Sequence, residues 1–348
     1  MTRCKQIGRA SAVALSAVAL LLSAYGAVRA AAAPAKAESM DELYEKAKKE
    51  GGKLTLYMAL SQRSADIIFP QFKKRFPAIT PDHVDATGDK LIARMVAEAR
   101  GGRVLADVFG SALPYIAQVS EMKLIEPLNI PEAAAYPATL KSDQWVATDT
   151  QFFIIGWNTG LVKKGDEPKS FEDMAHPRWK DALMAEPRDY QIMVGLAKKY
   201  KSDDKAMDLL KRIALNNVEF HRGHSQLAEF LVAGQRPVCF TCYAHHFPPR
   251  VKKGAPVLPL LNEGIGEVGG AVSIVKGAPR PNTALLWARW AVSEEGQRAY
   301  AEAGETPAHP KVEPLEKVRP ATVHMLTLDD VKEFPRYEKL WKDAFQIR

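Results

Sequence analysis

The chain has 348 residues, only three of them cysteine, and a formal net charge of +7. That length is large for one hydrophobic core and natural for two, and so few cysteines exclude a disulfide-rich scaffold. No dense run of Lys and Arg interleaved with aromatics occurs, which excludes a nucleic-acid binder despite the positive balance.

The first stretch reads as an address. Arg3, Lys5 and Arg9 form a positive start without an acid, residues 10–22 are small and apolar, and Val28, Ala30, Ala32 and Ala33 suit a signal peptidase. The apolar run is too short for an ordinary membrane span, with an uncleaved signal anchor as the competing reading. Cys4 precedes that run and so cannot accept a lipid anchor, which would have to follow it. Residues 1–33 are therefore expected to be a signal peptide with the start of a linker, and the mature protein to be periplasmic. Loss of Arg3, Lys5, Arg9 and Arg29 lowers the net charge to about +3 and leaves about 315 residues. Their only cysteines are Cys239 and Cys242.

Short apolar runs then alternate with amphipathic stretches. Residues 53–60 (KLTLYMAL), after a Gly-Gly pair, fit a strand buried on both faces. Ser64 is expected to cap a helix with Ile67, Ile68, Phe72 and Phe76 on one side and a kink at Pro70. Residues 90–100 form an amphipathic helix ended by Gly101-Gly102, residues 104–109 a strand and 113–122 a helix. The rhythm repeats, with strands over 152–157 and 182–185 and serine-capped helices over 202–215 and 225–233. Strands follow over 237–243, 256–261 and 271–275, then helices over 282–292 and 294–303, and the tail is Pro-rich and then helical. Such a succession predicts an α/β protein of two lobes, each a sheet flanked by helices. Carboxyl ends of strands and amino ends of helices should line the cleft between them, where polar ligands bind.

Several segments carry a family likeness: Gly52-Lys53-Leu54 through Tyr57, Gly88-Asp89-Lys90-Leu91-Ile92-Ala93-Arg94, and Ala106-Asp107-Val108 with Ser111. Ile155-Gly156-Trp157-Asn158-Thr159, Pro177-Arg178-Trp179-Lys180, Lys276-Gly277-Ala278-Pro279 and Ser293-Glu294-Glu295-Gly296-Gln297 continue it. In that order and spacing, over residues 43–310, the chain resembles the ferric-binding type of periplasmic solute-binding protein. This is a branch of the type II periplasmic binding fold, in extracellular solute-binding family 1. The resemblance implies lobes built from non-contiguous segments: residues 38–148 begin lobe 1, 149–267 form lobe 2, and 268–348 complete lobe 1 and add a helical wrap. Hinges are implied near residues 147–151 and 267–270. It also implies an ABC permease and its cytoplasmic ATPase as partners; the protein is expected to be a monomer without a cofactor.

Relatives that hold ferric iron use neighbouring tyrosines of the second lobe, often with a histidine and an acid from the first; hard Fe³⁺ favours phenolate oxygen. Here the corresponding segment reads Cys242-Tyr243-Ala244-His245-His246, so the resemblance puts Tyr243 at one tyrosine position and replaces the other with His245. Those two are the candidate metal ligands. After the first strand Ser61-Gln62-Arg63 supplies no histidine, so the ferric set is incomplete. Asp89 fits either the first-lobe acid or a helix cap.

Positive groups at helix starts point to a different cargo. Arg63, Arg188 and Arg222 suit a carboxylate, phosphonate or phosphate ester, with Gln62, Ser111, Thr148, Thr150 and Tyr190 as neutral contacts. Each arginine equally fits a solvated charge or an ion pair between lobes. His221, His224, His245 and His246 fit either exposed loops or ligand contacts. Cys239-Phe-Thr-Cys242 fits a redox pair, a zinc site with His245 and His246, or a buried pair or local disulfide.

The expectation is a binding protein without catalysis, capturing ferric iron or a ferric chelate, with a small organic anion as the rival cargo. A secreted metal-dependent enzyme using Cys239, Cys242, His245 and His246 is the reading from another class. Against it, no Gly-x-Ser-x-Gly elbow, His-Glu-x-x-His helix, P-loop or dinucleotide turn is present.

Overall fold

The computed structural model describes residues 38–347, so the expected signal peptide lies outside them. The chain begins with α1 (Met40–Lys48), β1 (Lys53–Met58), α2 (Gln62–Arg75), β2 (Thr80–Asp85), α3 (Gly88–Arg100), β3 (Val108–Ser111) and α4 (Leu113–Glu121). β1 pairs in parallel with β2 and β3, and its side chains beyond Lys53 are buried, as an interior strand covered on both faces requires. Ser61, not Ser64, caps α2: its Oγ accepts from the Ser64 N–H at 3.2 Å. Ser64 Oγ is thereby free to donate to Glu305 Oε1 at 2.7 Å. The helix continues through the exposed Pro70 to Arg75. β2 has no counterpart among the expected strands, because TPDHVD is polar, contains a proline and lies at the sheet edge.

Two long strands carry the chain between halves of the molecule, β4 (Val146–Asn158) and β9 (Glu263–Ile274). The sequence pattern marks only their outer ends. The intervening segments pair antiparallel with each other, Thr150 opposite Val268 and Gln151 opposite Glu267, with register shifts on both sides of Asp149. Between these strands lie β5 (Leu183–Ala185), α5 (Gln191–Tyr200), α6 (Asp203–Ala214), β6 (Glu219–Phe220), α7 (His224–Ala233), β7 (Val238–Tyr243), α8 (Phe247–Lys252) and β8 (Val257–Pro259). Ser202 caps α6 as expected, whereas α7 starts at His224 behind Gly223, whose φ of 93° suits glycine. After β9 come α9 (Pro281–Ala291), α10 (Glu294–Glu302), β10 (Thr322–Met325), α11 (Leu328–Lys332) and α12 (Phe334–Phe345).

One sheet runs through both halves in the order β2-β1-β3-β9-β4-β7-β5-β6, with β10 on β9 and β8 on β4. Its apolar cover is divided. One core runs from Leu43 to Ala147 and resumes from Val268 to Ala308. The other runs from Phe153 to Ile265 and takes in Leu326, Phe334, Tyr337, Trp341 and Ala344 from the tail, so α12 seats on the second lobe. A smaller cluster, with Ile154, Met184, Leu227, Leu231, Cys239, Cys242 and Phe247, also lies in that lobe. The lobes meet where β4 and β9 cross. Among the described residues no helix is long and apolar enough to cross a membrane.

Candidate functional site

β7 ends at Tyr243, and one tight turn over residues 244–246 leads into α8. The Tyr243 ring lies against Phe153 of β4, with centroids 4.7 Å apart, and against His224 at the start of α7, at 4.0 Å. Its hydroxyl donates to Glu267 Oε1 of β9 at 3.1 Å. His224 Nε2 meets Asp189 Oδ1 at 3.2 Å. His245 stacks on Tyr243 at 5.3 Å and meets His246 in a tilted contact at 4.5 Å. A phenol and imidazole wall results, with carboxylates from β9 and from the loop before α5 set against it.

Burial governs the electrostatics. It raises Glu267 to about 7, against the opposing Tyr243 bond and with Asp189 adding to the rise. Asp189 is raised by burial too, its bond to His224 opposing. The Tyr243 hydroxyl is held well above its ordinary range by burial, then by Glu267, Asp189 and Glu186. For His224, burial works against the charged form, but the Asp189 bond and the nearby acids outweigh it and the pKa rises. His245 is lowered to about 4 by burial, then by His224 and Arg250, so its imidazole is neutral at pH 7 and keeps a lone pair for a ligand. His246 is lowered to about 3 by burial, then by His245 and Arg250, and its Nδ1 faces the Arg250 guanidinium at 3.4 Å.

A cavity of about 290 Å³ opens between the lobes, lined by Arg63, Glu302 and Glu305 from one and His245, Pro248 and Lys252 from the other. On the crossing strand, Thr148 Oγ1 donates to Asp149 Oδ2 at 3.1 Å. Gly269 and Gly270 of β9 leave the space this carboxylate fills, since a Cβ on either would stand 2.3 Å from one of its oxygens. Burial, then the neighbouring Glu305, pushes Asp149 well above the usual carboxylate range; burial raises Glu305 as well.

Of the residues singled out from the sequence, Tyr243 and His245 stand together. Tyr190, just ahead of α5, is raised to about 12 by burial and then by Glu267. Among the three arginines only Arg63 lines the cavity. Arg188 donates to Glu186 Oε1 at 2.6 and 2.9 Å, so this arginine is engaged by an acid within its own loop. Arg222 is exposed ahead of Gly223, and Gln62 is exposed and donates to Asp66. Thr148 serves Asp149, Thr150 Oγ1 reaches the Thr306 carbonyl at 3.5 Å, and the buried Ser111 Oγ has no protein partner among the described residues. Asp89 sits in the first turn of α3. Cys239 and Cys242 form a disulfide, which takes both thiolates away from a zinc or nucleophile constellation with His245 and His246. Among the described residues no group of three or more His, Cys, Asp or Glu is set to hold a metal ion. The sequence did not disclose Glu267, Asp189, Asp149 or Glu305 as site residues. Glu267 alone leaves a trace, an acid inside the glycine-rich run EGIGEVGG.

The family profile described as bacterial extracellular solute-binding protein matches residues 68–325. The chain belongs to this family. The major ferric iron-binding protein of Neisseria meningitidis is 25% identical to this solute-binding protein over 308 residues, covering 81% of this chain and 91% of that one. Mannheimia haemolytica ferric iron-binding protein A, in an open conformation, superposes with a TM-score of 0.72 at 17% identity, covering 84% of this chain and 98% of that one. The periplasmic binding protein AfuA from Actinobacillus pleuropneumoniae, with exogenous fructose-6-phosphate bound, superposes with a TM-score of 0.63 at 21% identity, covering 85% and 99%. These likenesses show the two-lobed fold. The relatives are binding proteins rather than enzymes.

Proposed function

We propose that this solute-binding protein captures ferric iron, bare or held by a small chelating anion, in the periplasm. It then delivers the cargo to an inner-membrane ABC permease driven by a cytoplasmic ATPase. The observation that carries this reading is the Tyr243 hydroxyl, 3.1 Å from Glu267 Oε1 and beside Asp189, His224 and the neutral His245. Phenolate and carboxylate oxygens are hard donors that match Fe³⁺, and neutral imidazole can complete such a set. The acids hold protons tightly because burial penalises their charge; a trivalent cation removes that penalty and displaces the protons. Tyr243 and His245 supply first contacts in the second lobe, and closure brings Glu305 and Arg63 of the first lobe across the cavity. The iron is cargo, and no resident cofactor or catalytic step is needed. The ferric iron-binding name of the Neisseria relative supports the reading.

A small organic anion is the second reading, favoured by Arg63 in the first turn of α2 facing the same cavity as Lys252. The fructose-6-phosphate bound to AfuA supports it. Adding ferric citrate to the purified, cargo-free protein tests the two. Iron binding should produce a visible phenolate charge-transfer band and raise the melting temperature, and Tyr243→Phe should weaken both. A colourless protein, unmoved by ferric salts yet stabilised by fructose 6-phosphate and no longer so in Arg63→Gln, decides for the anion.

A further inference from the structure

We infer that the Cys239–Cys242 disulfide is a positioning element of the cargo site: by closing a one-residue bulge in β7, it fixes where Thr241 and Tyr243 point. The inference rests on the reading of Tyr243 as a cargo contact given above. On the neighbouring strand β4, Ile154 faces Cys242 and Gly156 faces Cys239, so Phe240 and Thr241 together oppose the single residue Ile155. In an unbroken strand, residues three apart point to opposite faces and their sulfurs cannot meet. The extra residue cancels the alternation. Cys239 and Cys242 both join the cluster of Met184, Leu227, Leu231 and Phe247, while Val238 and Phe240 pack in the other core with Trp341. The bridge then ties the two ends of the bulge, with the Cα atoms 5.8 Å apart.

What the bulge re-aims is the wall of the site. Thr241 is buried, and its hydroxyl accepts from the Glu186 N–H at 3.0 Å, fixing the start of the loop whose Asp189 holds His224. Tyr243 is the residue immediately after the bridge, with its ring on His224 and Phe153 and its hydroxyl on Glu267. Gly156, opposite Cys239, has no side chain, so the Phe247 ring lies where its Cβ would be, 2.0 Å away, and packs the bulge from beyond the strand. A slip of one residue in β7 would turn Tyr243 to the wrong face. Flattening the bulge would produce that slip for the residues beyond it, and the covalent tie, whose sulfurs meet only across the bulge, forbids the flattening. Both cysteines are fully buried, so the bridge acts by geometry and not by exchange with solvent thiols.

Cys239→Ala/Cys242→Ala tests this beside Leu227→Ala, which opens the same apolar face and leaves the bridge intact. Two readouts are followed: ferric affinity with the phenolate band, and, without cargo, the NMR shift of the His224 ring protons, which the Tyr243 ring 4.0 Å away displaces. The bridge-less variant should bind iron about tenfold more weakly, shift the band, and move the His224 signals toward those of a free histidine. Leu227→Ala should lower the melting temperature while leaving band and signals in place. Wild-type His224 signals in the bridge-less protein, or an equal displacement in Leu227→Ala, would overturn the inference. Should the alanine pair not fold, Cys239→Ser/Cys242→Val and wild-type protein refolded under a phosphine reductant carry the same readouts. If the wild type binds no iron, the ferric reading fails, while the His224 signals still decide for or against the bridge.

Discussion

Glu267 keeps its proton to about pH 7 in the folded protein, whereas an unconstrained glutamate loses it near 4.5. Burial is the main cause, so folding takes up a proton between those two values. Stability from the protonated carboxyl is complete below pH 4.5 and is lost as the pH rises through about 7. Glu267→Gln keeps an acceptor for Tyr243 without the charge. Its unfolding free energy should match wild type below pH 4.5 and exceed it increasingly up to pH 7, by on the order of 3 kcal/mol, with the melting temperature rising in step. Thermal melts of both cargo-free proteins across that range measure this, and a pH-independent offset would assign the effect elsewhere. Tyr243 and His245 are readable in the sequence because one local motif carries them. Glu267 and Asp189 reach the same wall from β9 and from the loop before α5, and nothing local announces such a meeting. Arg188 fits an anion contact, a solvated charge or a pair between lobes in the sequence for a different reason: the buried Glu186 that engages it is only two residues away, but the loop has no periodicity to show which way either side chain turns.

Strands β4 and β9 are the elements that bring these residues together, and their glycines do different work. At Gly156 an added Cβ would meet the Phe247 ring at 2.0 Å, in a packed cluster from which the ring cannot withdraw. Gly156→Ala should therefore cost about 1–3 kcal/mol as an overpacked core. At Gly270 the obstacles are the tips of two polar side chains, Asp149 Oδ2 at 2.3 Å and Thr148 Oγ1 at 2.9 Å, which can give way more readily than a packed ring. Gly270→Ala should cost less than Gly156→Ala in urea unfolding while changing cargo affinity; the reverse order would contradict this account of the crossing. The same strands show where sequence reading stops. Alternating or apolar runs mark their outer ends, but the central residues carry Thr, Asp, Gln, Glu and Gly toward a cleft and lose the strand pattern. Edge strand β2 is hidden for the related reason that edges carry polar residues and proline. The helices, with buried stripes and serine caps, are the most readable elements.

At the scale of the whole molecule, two separate cores are joined through one pair of crossing strands, and that arrangement permits the lobes to turn about β4 and β9. Small-angle scattering should show a smaller radius of gyration once cargo is bound, and superimposable profiles with and without a cargo that raises the melting temperature would rule closure out. The two-lobed α/β architecture was predictable from the alternation of strands and helices. Which lobe the tail serves was not, because the partners of Phe334, Tyr337 and Trp341 lie far back in the chain. That docking has a temporal consequence. A polypeptide made or exported from its amino end first cannot complete the Leu43 core until Val268 to Ala308 have emerged, nor the Phe153 core until Trp341 has. Neither half can therefore close its apolar core while only the residues before β9 have been made.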